Sequence, residues 1–172
     1  LLRTFSRCKG NERQSERDDK VEEVGQLQVI NGATLQRSAD HGLHVVSVAR
    51  TGCDEYFITA PLLGGEQPGS LFERAAEALR DRGAAVLSVE VVGVPYNNGV
   101  GPERLAQAFG PVAWPVTWID RSPDVAMGGV HIWAIVGPTP TPIVQGGVVT
   151  GMWFEDPWAT FRRAGGLAPA NI

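Results

Sequence analysis

Residues 70–94 read SLFERAAEALRDRGAAVLSVEVVGV, and a change of period inside this stretch decides the fold class. In the first half, Leu71, Phe72, Ala75, Ala76 and Leu79 recur at helical spacing and form one apolar face. Ser70 followed by Glu73 is a capping-box pattern for the start of that helix, and Gly83 marks its end. The second half, Ala84 to Val94, is rich in valine and carries apolar residues at both parities: Val86, Leu87, Val89, Val91 and Val92. That pattern suits a strand buried on both faces. A helix feeding such a strand implies a sheet with helices on one side and a different cover on the other.

Working outward, Leu27 and Val29, then Ala33 and Leu35, alternate around Asn31-Gly32, a pair that favours a two-residue hairpin. Leu43 to Ala49 reads as a strand, Arg50 to Asp54 as a turn, Glu55 to Ala60 as the next strand and Pro61 to Gly69 as a loop. A loop from Pro95 to Gly101 precedes a short helix that opens at Pro102, carries Leu105, Ala106 and Phe109, and stops at Gly110. Strands are expected at Val116 to Asp120 and Val130 to Val136, and the apolar run Ile143 to Phe154 follows the turn Pro138 to Pro142. The expected order is β-β-β-α-β-α-β-β, an α+β mixed sheet with two helices on one face. Sheets packed together in an oligomer would cover the second face.

The chain has 172 residues, 43% of them hydrophobic and 20% charged, which allows one domain with a sizeable core. Residues 1–24 hold 12 charges of mixed sign and few apolar residues, the composition of a solvated leader. The expected division is therefore 1–24 leader, 25–150 folded domain, and 151–172 C-terminal extension or the start of a second unit. The first residue is Leu1, as in a processed or partial chain. Cys8 and Cys53 make no disulfide framework, and neither a signal peptide nor an apolar span is present, so a cytoplasmic protein without membrane association is expected. Net charge is −4, and the nine basic residues after Gly25 are all arginines, several offset by neighbouring acids. Nucleic acid, which needs clustered cations, is not an expected partner.

The segments EYFITAPLLGGEQ, SLFERAAEALRDRGA, AVLSVEVVGV, ERLAQAFG, Trp114 to Ile119 and Val130 to Val136 follow one another in this order. In order and spacing they resemble the Rid family (YjgF-like, also annotated endoribonuclease L-PSP) over about Gly25 to Gly137. The resemblance implies a chorismate-mutase-like fold, a homotrimer or pseudo-trimer, and ligand clefts between subunits. It also implies an Arg that holds a substrate carboxylate and a Glu that positions water for imine hydrolysis. Here Thr117 stands at the Arg position and Trp133 at the Glu position. Threonine cannot supply a bidentate cation, and tryptophan has no acid or base function. The stretch Gly147 to Pro157 is similar to the family's opening segment, and tandem Rid-like halves occur in chorismatases.

Thr117, Trp118, His131 and Trp133 are the expected ligand-binding residues. His131 shares a strand face with Trp133, and two tryptophans offer aromatic walls for a planar ligand. Packing explains His131 and the tryptophans Trp114, Trp118, Trp133, Trp153 and Trp158 as well. His41 and His44 sit on a hairpin without further ligands, so no metal is expected, and no cofactor either. The glycine-rich Asn97 to Gly101 lacks a phosphate-loop lysine, and no GxSxG elbow occurs. Three functions stay open: a Rid-like protein that binds a small metabolite at an inter-subunit cleft without deaminase activity, a small-molecule hydrolase (a divergent imine deaminase or a chorismatase-like half), and a non-catalytic oligomerisation domain.

Overall fold

A computed structural model describes residues 27–30, 33–93, 101–119, 127–155 and 160–164. The leader, Asn31-Gly32, Asn97 to Val100, Asp156-Pro157 and Trp158 lie outside the described residues.

Ten strands and two helices are described. In chain order they are β1 (Leu27–Ile30), β2 (Ala33–Asp40), β3 (Leu43–Arg50), β4 (Cys53–Pro61), α1 (Pro68–Arg82), β5 (Ala85–Gly93), α2 (Pro102–Phe109), β6 (Val116–Ile119), β7 (Met127–Val136), β8 (Thr141–Gln145), β9 (Val148–Glu155) and β10 (Thr160–Ala164). The first seven strands form one mixed sheet in the order β1-β2-β3-β4-β7-β5-β6, and the last three form a second sheet, β10-β9-β8. Every pair is antiparallel except β5 with β6. The α+β class and the helical layer on one face agree with the sequence. The expected eight-element order undercounts the strands on both sides of the helix-containing centre.

Burial explains the layering. Leu71, Phe72, Ala75, Ala76 and Leu79 of α1 are at most 3% exposed. They pack with Leu105 of α2 on Leu43, Val45, Ile58, Ala60, Val89, Val91, Val130, Ile132 and Ala134 of the main sheet. Each fully buried large side chain contributes about 1.5–3 kcal/mol, so this cluster is the dominant stabilising layer. A smaller cluster on the opposite face joins Cys53, Leu87 and Ile135 to Met152 and Phe154 of β9. The second sheet therefore covers part of the face that was expected to need a partner copy.

Three local readings are corrected. Gln67, not Ser70, is the N-cap of α1, with no side-chain cap bond; Pro68 occupies the first turn, where its missing N–H costs nothing. The C-terminus behaves as expected: Gly83 is left-handed (φ 60°), and Ala84 N–H closes on Leu79 O at 3.0 Å. The run Ile143 to Phe154 is not continuous, because Gly146 and Gly147, both at positive φ, turn it into the β8–β9 hairpin. Strand β9 itself spans the expected junction at residues 150 and 151.

Arg74 ties the start of α1 to two turns. Its Nε and Nη2 donate to the Glu66 carboxylate at 3.0 and 2.8 Å, and further N–H groups reach the carbonyls of Gly42 (3.0 Å) and Pro61 (2.9 Å). Burial pushes the Glu66 carboxyl up, but the bonds from Arg74 and the Leu63 amide, with the Arg74 charge, outweigh it and hold the group below its ordinary 4.5. A lowered carboxyl favours the folded state above its unfolded pKa, and that contribution is lost as pH falls through the folded value. Urea midpoints should therefore drop more steeply below about pH 4.5 for the natural chain than for Glu66→Gln; parallel acid limbs would contradict the ion-pair account.

Gly129 in β7 makes a second constraint. A Cβ there would sit 2.5 Å from the Ala60 carbonyl oxygen, at φ +152°. Gly129→Ala is expected to cost about 1–3 kcal/mol, read as a lower thermal midpoint; an unchanged midpoint would mean that β4 and β7 are less tightly apposed.

Candidate functional site

The functional face follows from strand parity. With a side-chain period of two, the β7 residues Val130, Ile132 and Ala134 face the helices, while His131, Trp133 and Ile135 face away. The same alternation puts Phe57 and Thr59 of β4 on the outer face. Register then aligns the strands into rows. Arg37, Val46, Phe57, Trp133 and Ser88 form one row, and His44, Thr59, His131, Glu90 and Thr117 form the next. A bulge between Val86 and Ser88 inserts Leu87. Leu87 and Ser88, successive in the chain, both contribute to this side of the sheet: Leu87 to the cluster with β9, and Ser88 to the cavity wall.

These rows border a cavity of about 340 Å³ lined by Phe57, Thr59, Ser88, Glu90, His131 and Trp133. One wall is aromatic. Phe57 and Trp133 stack in parallel, with centroids 5.9 Å apart and planes 9° apart, and Phe154 meets the Trp133 ring edge-on at 6.5 Å. Phe57 remains 42% exposed. The floor is polar: Thr59 Oγ1 lies 3.1 Å from His131 Nδ1, a hydrogen bond whose direction depends on the tautomer.

The indole is also held from below. Trp133 Nε1 donates to Glu55 Oε2 at 3.2 Å, and the other Glu55 oxygen pairs with Arg50. Glu55 is 6% exposed. A buried carboxylate needs such partners to offset its lost hydration, so the ion pair fixes both the charge and the ring orientation.

Three of the four expected ligand-binding residues lie on this face: Thr117, His131 and Trp133. Trp118 does not. It pairs with Val91 and packs against the helix-covered core. Neighbours in a strand point to opposite faces, so Thr117 and Trp118 cannot both line one site. Phe57, Thr59, Ser88, Glu55 and Glu90 were not singled out from the sequence. For Glu90 a signal existed, since it is the one charge within VLSVEVVGV.

His41 and His44 do not form a metal site. His41 caps the β2–β3 turn at φ 47° beside Asp40, whereas His44 lies next to Thr59 on the outer face. Among the described residues, no group of three or more His, Cys, Asp or Glu side chains is placed to hold a metal ion. A larger cleft of about 500 Å³ runs between α1 and the β2–β3 turn. Its cations are already engaged, Arg74 as above and Arg82 with Ala78 O at 2.7 Å, and the cleft has no aromatic wall. No described helix is long and apolar enough to cross a membrane.

No family model, curated protein or solved structure matches this chain.

Arg50→Ala removes the charge partner of a buried carboxylate. It is expected to lower unfolding free energy by about 1–2 kcal/mol, and Arg50→Ala with Glu55→Leu should recover part of that. A double variant no more stable than the single one would show that Glu55 is not held by this pair.

Proposed function

We propose that this chain is a Rid-like small-molecule-binding protein. Its ligand cleft is the outer face of the main sheet, completed by further copies of the chain in a trimer, and it lacks the family's imine deaminase chemistry. The observation that carries this reading is the exposed aromatic and polar patch at the centre of the sheet, with Phe57, Thr59, Glu90, His131 and Trp133 around one cavity. An apolar patch next to convergent polar groups is the usual form of a ligand or partner surface. Support also comes from the half-covered second face. The β9 strand shields Leu87 and Ile135, while Phe57 and Ile119 stay 42% and 41% exposed. The loss of deaminase chemistry rests on Thr117 and Trp133 at the family's Arg and Glu positions, and no Lys or Arg is among the described residues lining the cavity.

Sedimentation velocity of the full chain at tens of micromolar tests the reading. A trimer is expected, and Phe57→Asp, which puts a charge into the proposed contact, should shift the mass toward monomer. A monomeric natural chain would overturn the shared cleft. Rapid ammonia release from freshly formed 2-aminoacrylate would instead favour a divergent hydrolase. A trimer whose tryptophans fill the cleft would favour an oligomerisation domain.

A further inference from the structure

The charge and shape of the cavity on the outer sheet face select a ligand class, an inference that rests on the reading above. We infer that the site takes a planar ring that is neutral or cationic and carries N–H donors, and that it turns carboxylates away. Four observations lead there.

The first is the wall. Parallel stacked Phe57 and Trp133 present aromatic surface to the cavity, which suits a flat ring and favours a cation over an anion. The second is the floor. Glu90 of β5 and His131 of β7 lie directly opposite each other in register, and Ser88 and Thr59 flank them. Glu90 supplies carboxylate acceptors for ligand N–H groups. An anionic ligand would have to lose its hydration beside that carboxylate, a like-charge contact that costs affinity.

The third is the placement of the arginines on this face. Arg50 is committed to Glu55, and Arg37 lies two strands beyond Phe57, with Val46 between them. The remaining titratable neighbour, His44, sits next to Thr59 on β3. Neither histidine offers the forked geometry with which arginine binds a carboxylate. The fourth is size. About 340 Å³ is near the lower end of small-molecule sites, about 300–1,000 Å³, which suits one or two fused rings.

Three isosteric probes separate the outcomes. Benzamidine, benzamide and benzoate share a flat ring and differ in charge. Titrated onto the full chain by ligand-observed saturation-transfer NMR, benzamidine is expected to bind on the order of tenfold tighter than benzoate, with benzamide in between. Glu90→Gln should erase the difference between benzamidine and benzamide, and Trp133→Ala should weaken both. The comparison on the natural chain stands even if a variant misfolds. Benzoate binding as well as or better than benzamidine, competed by neither amide nor amidine, would overturn the ligand class while leaving a binding cleft. Absence of binding by all three at millimolar concentration would overturn the ligand class and the cleft together.

Discussion

Strand β7 reaches the centre of the main sheet, between β4 and β5, from a position later in the chain than either neighbour. A strand so placed must satisfy two faces at once. On one, Val130, Ile132 and Ala134 meet the helical layer; on the other, His131, Trp133 and Ile135 meet β9 or solvent. Backbone apposition is close along the whole strand. Gly129 lies against Ala60, and Gly137 against Gly52, where no side chain fits. The same strand thus closes the core and carries the central residues of the site, so the position of His131 and Trp133 is set by the packing of the residues between them.

The uneven cover of the outer face follows from the second sheet. Met152 and Phe154 of β9 seal the end of the sheet near Cys53, Leu87 and Ile135. They stop at the Trp133 ring, which Phe154 meets edge-on. Beyond that ring the surface changes to Thr59, His131, Glu90 and Thr117. The buried Arg50–Glu55 pair lies at the boundary and holds the indole through Nε1. Such a pair contributes little net stability against apolar packing of the same volume; here it orients an aromatic side chain at a cavity rim.

Much of the fold is legible in the residues. The helix face of α1, the two-sided apolar pattern of β5 and the end of α1 at Gly83 are all local features. What failed was either local competition or parity. Ser70 and Glu73 make a capping box on paper, but Pro68, with its fixed φ, starts the helix two residues earlier. Gly146-Gly147 was an available hairpin signal inside an apolar run. For the site, Thr117, His131 and Trp133 were found because strand spacing puts the last two on one face. Trp118 was misplaced by one residue, enough to move a side chain through the sheet. Phe57, Ser88 and Thr59 join the site only through cross-strand register, which no single segment reveals.

The central claim is that the outer face around Phe57 is a covered cleft between copies of the chain and not free surface. Its most direct test is the solvent exposure of that ring in solution. With 4-fluorophenylalanine incorporated and the Phe57 resonance assigned by its loss in Phe57→Leu, a soluble gadolinium chelate broadens each ring according to its accessibility. In a single chain Phe57 is 42% exposed and Phe72 fully buried. The account expects Phe57 to be shielded nearly as well as Phe72 at tens of micromolar protein and to become broadened on dilution. Strong broadening of Phe57 at every concentration would contradict it.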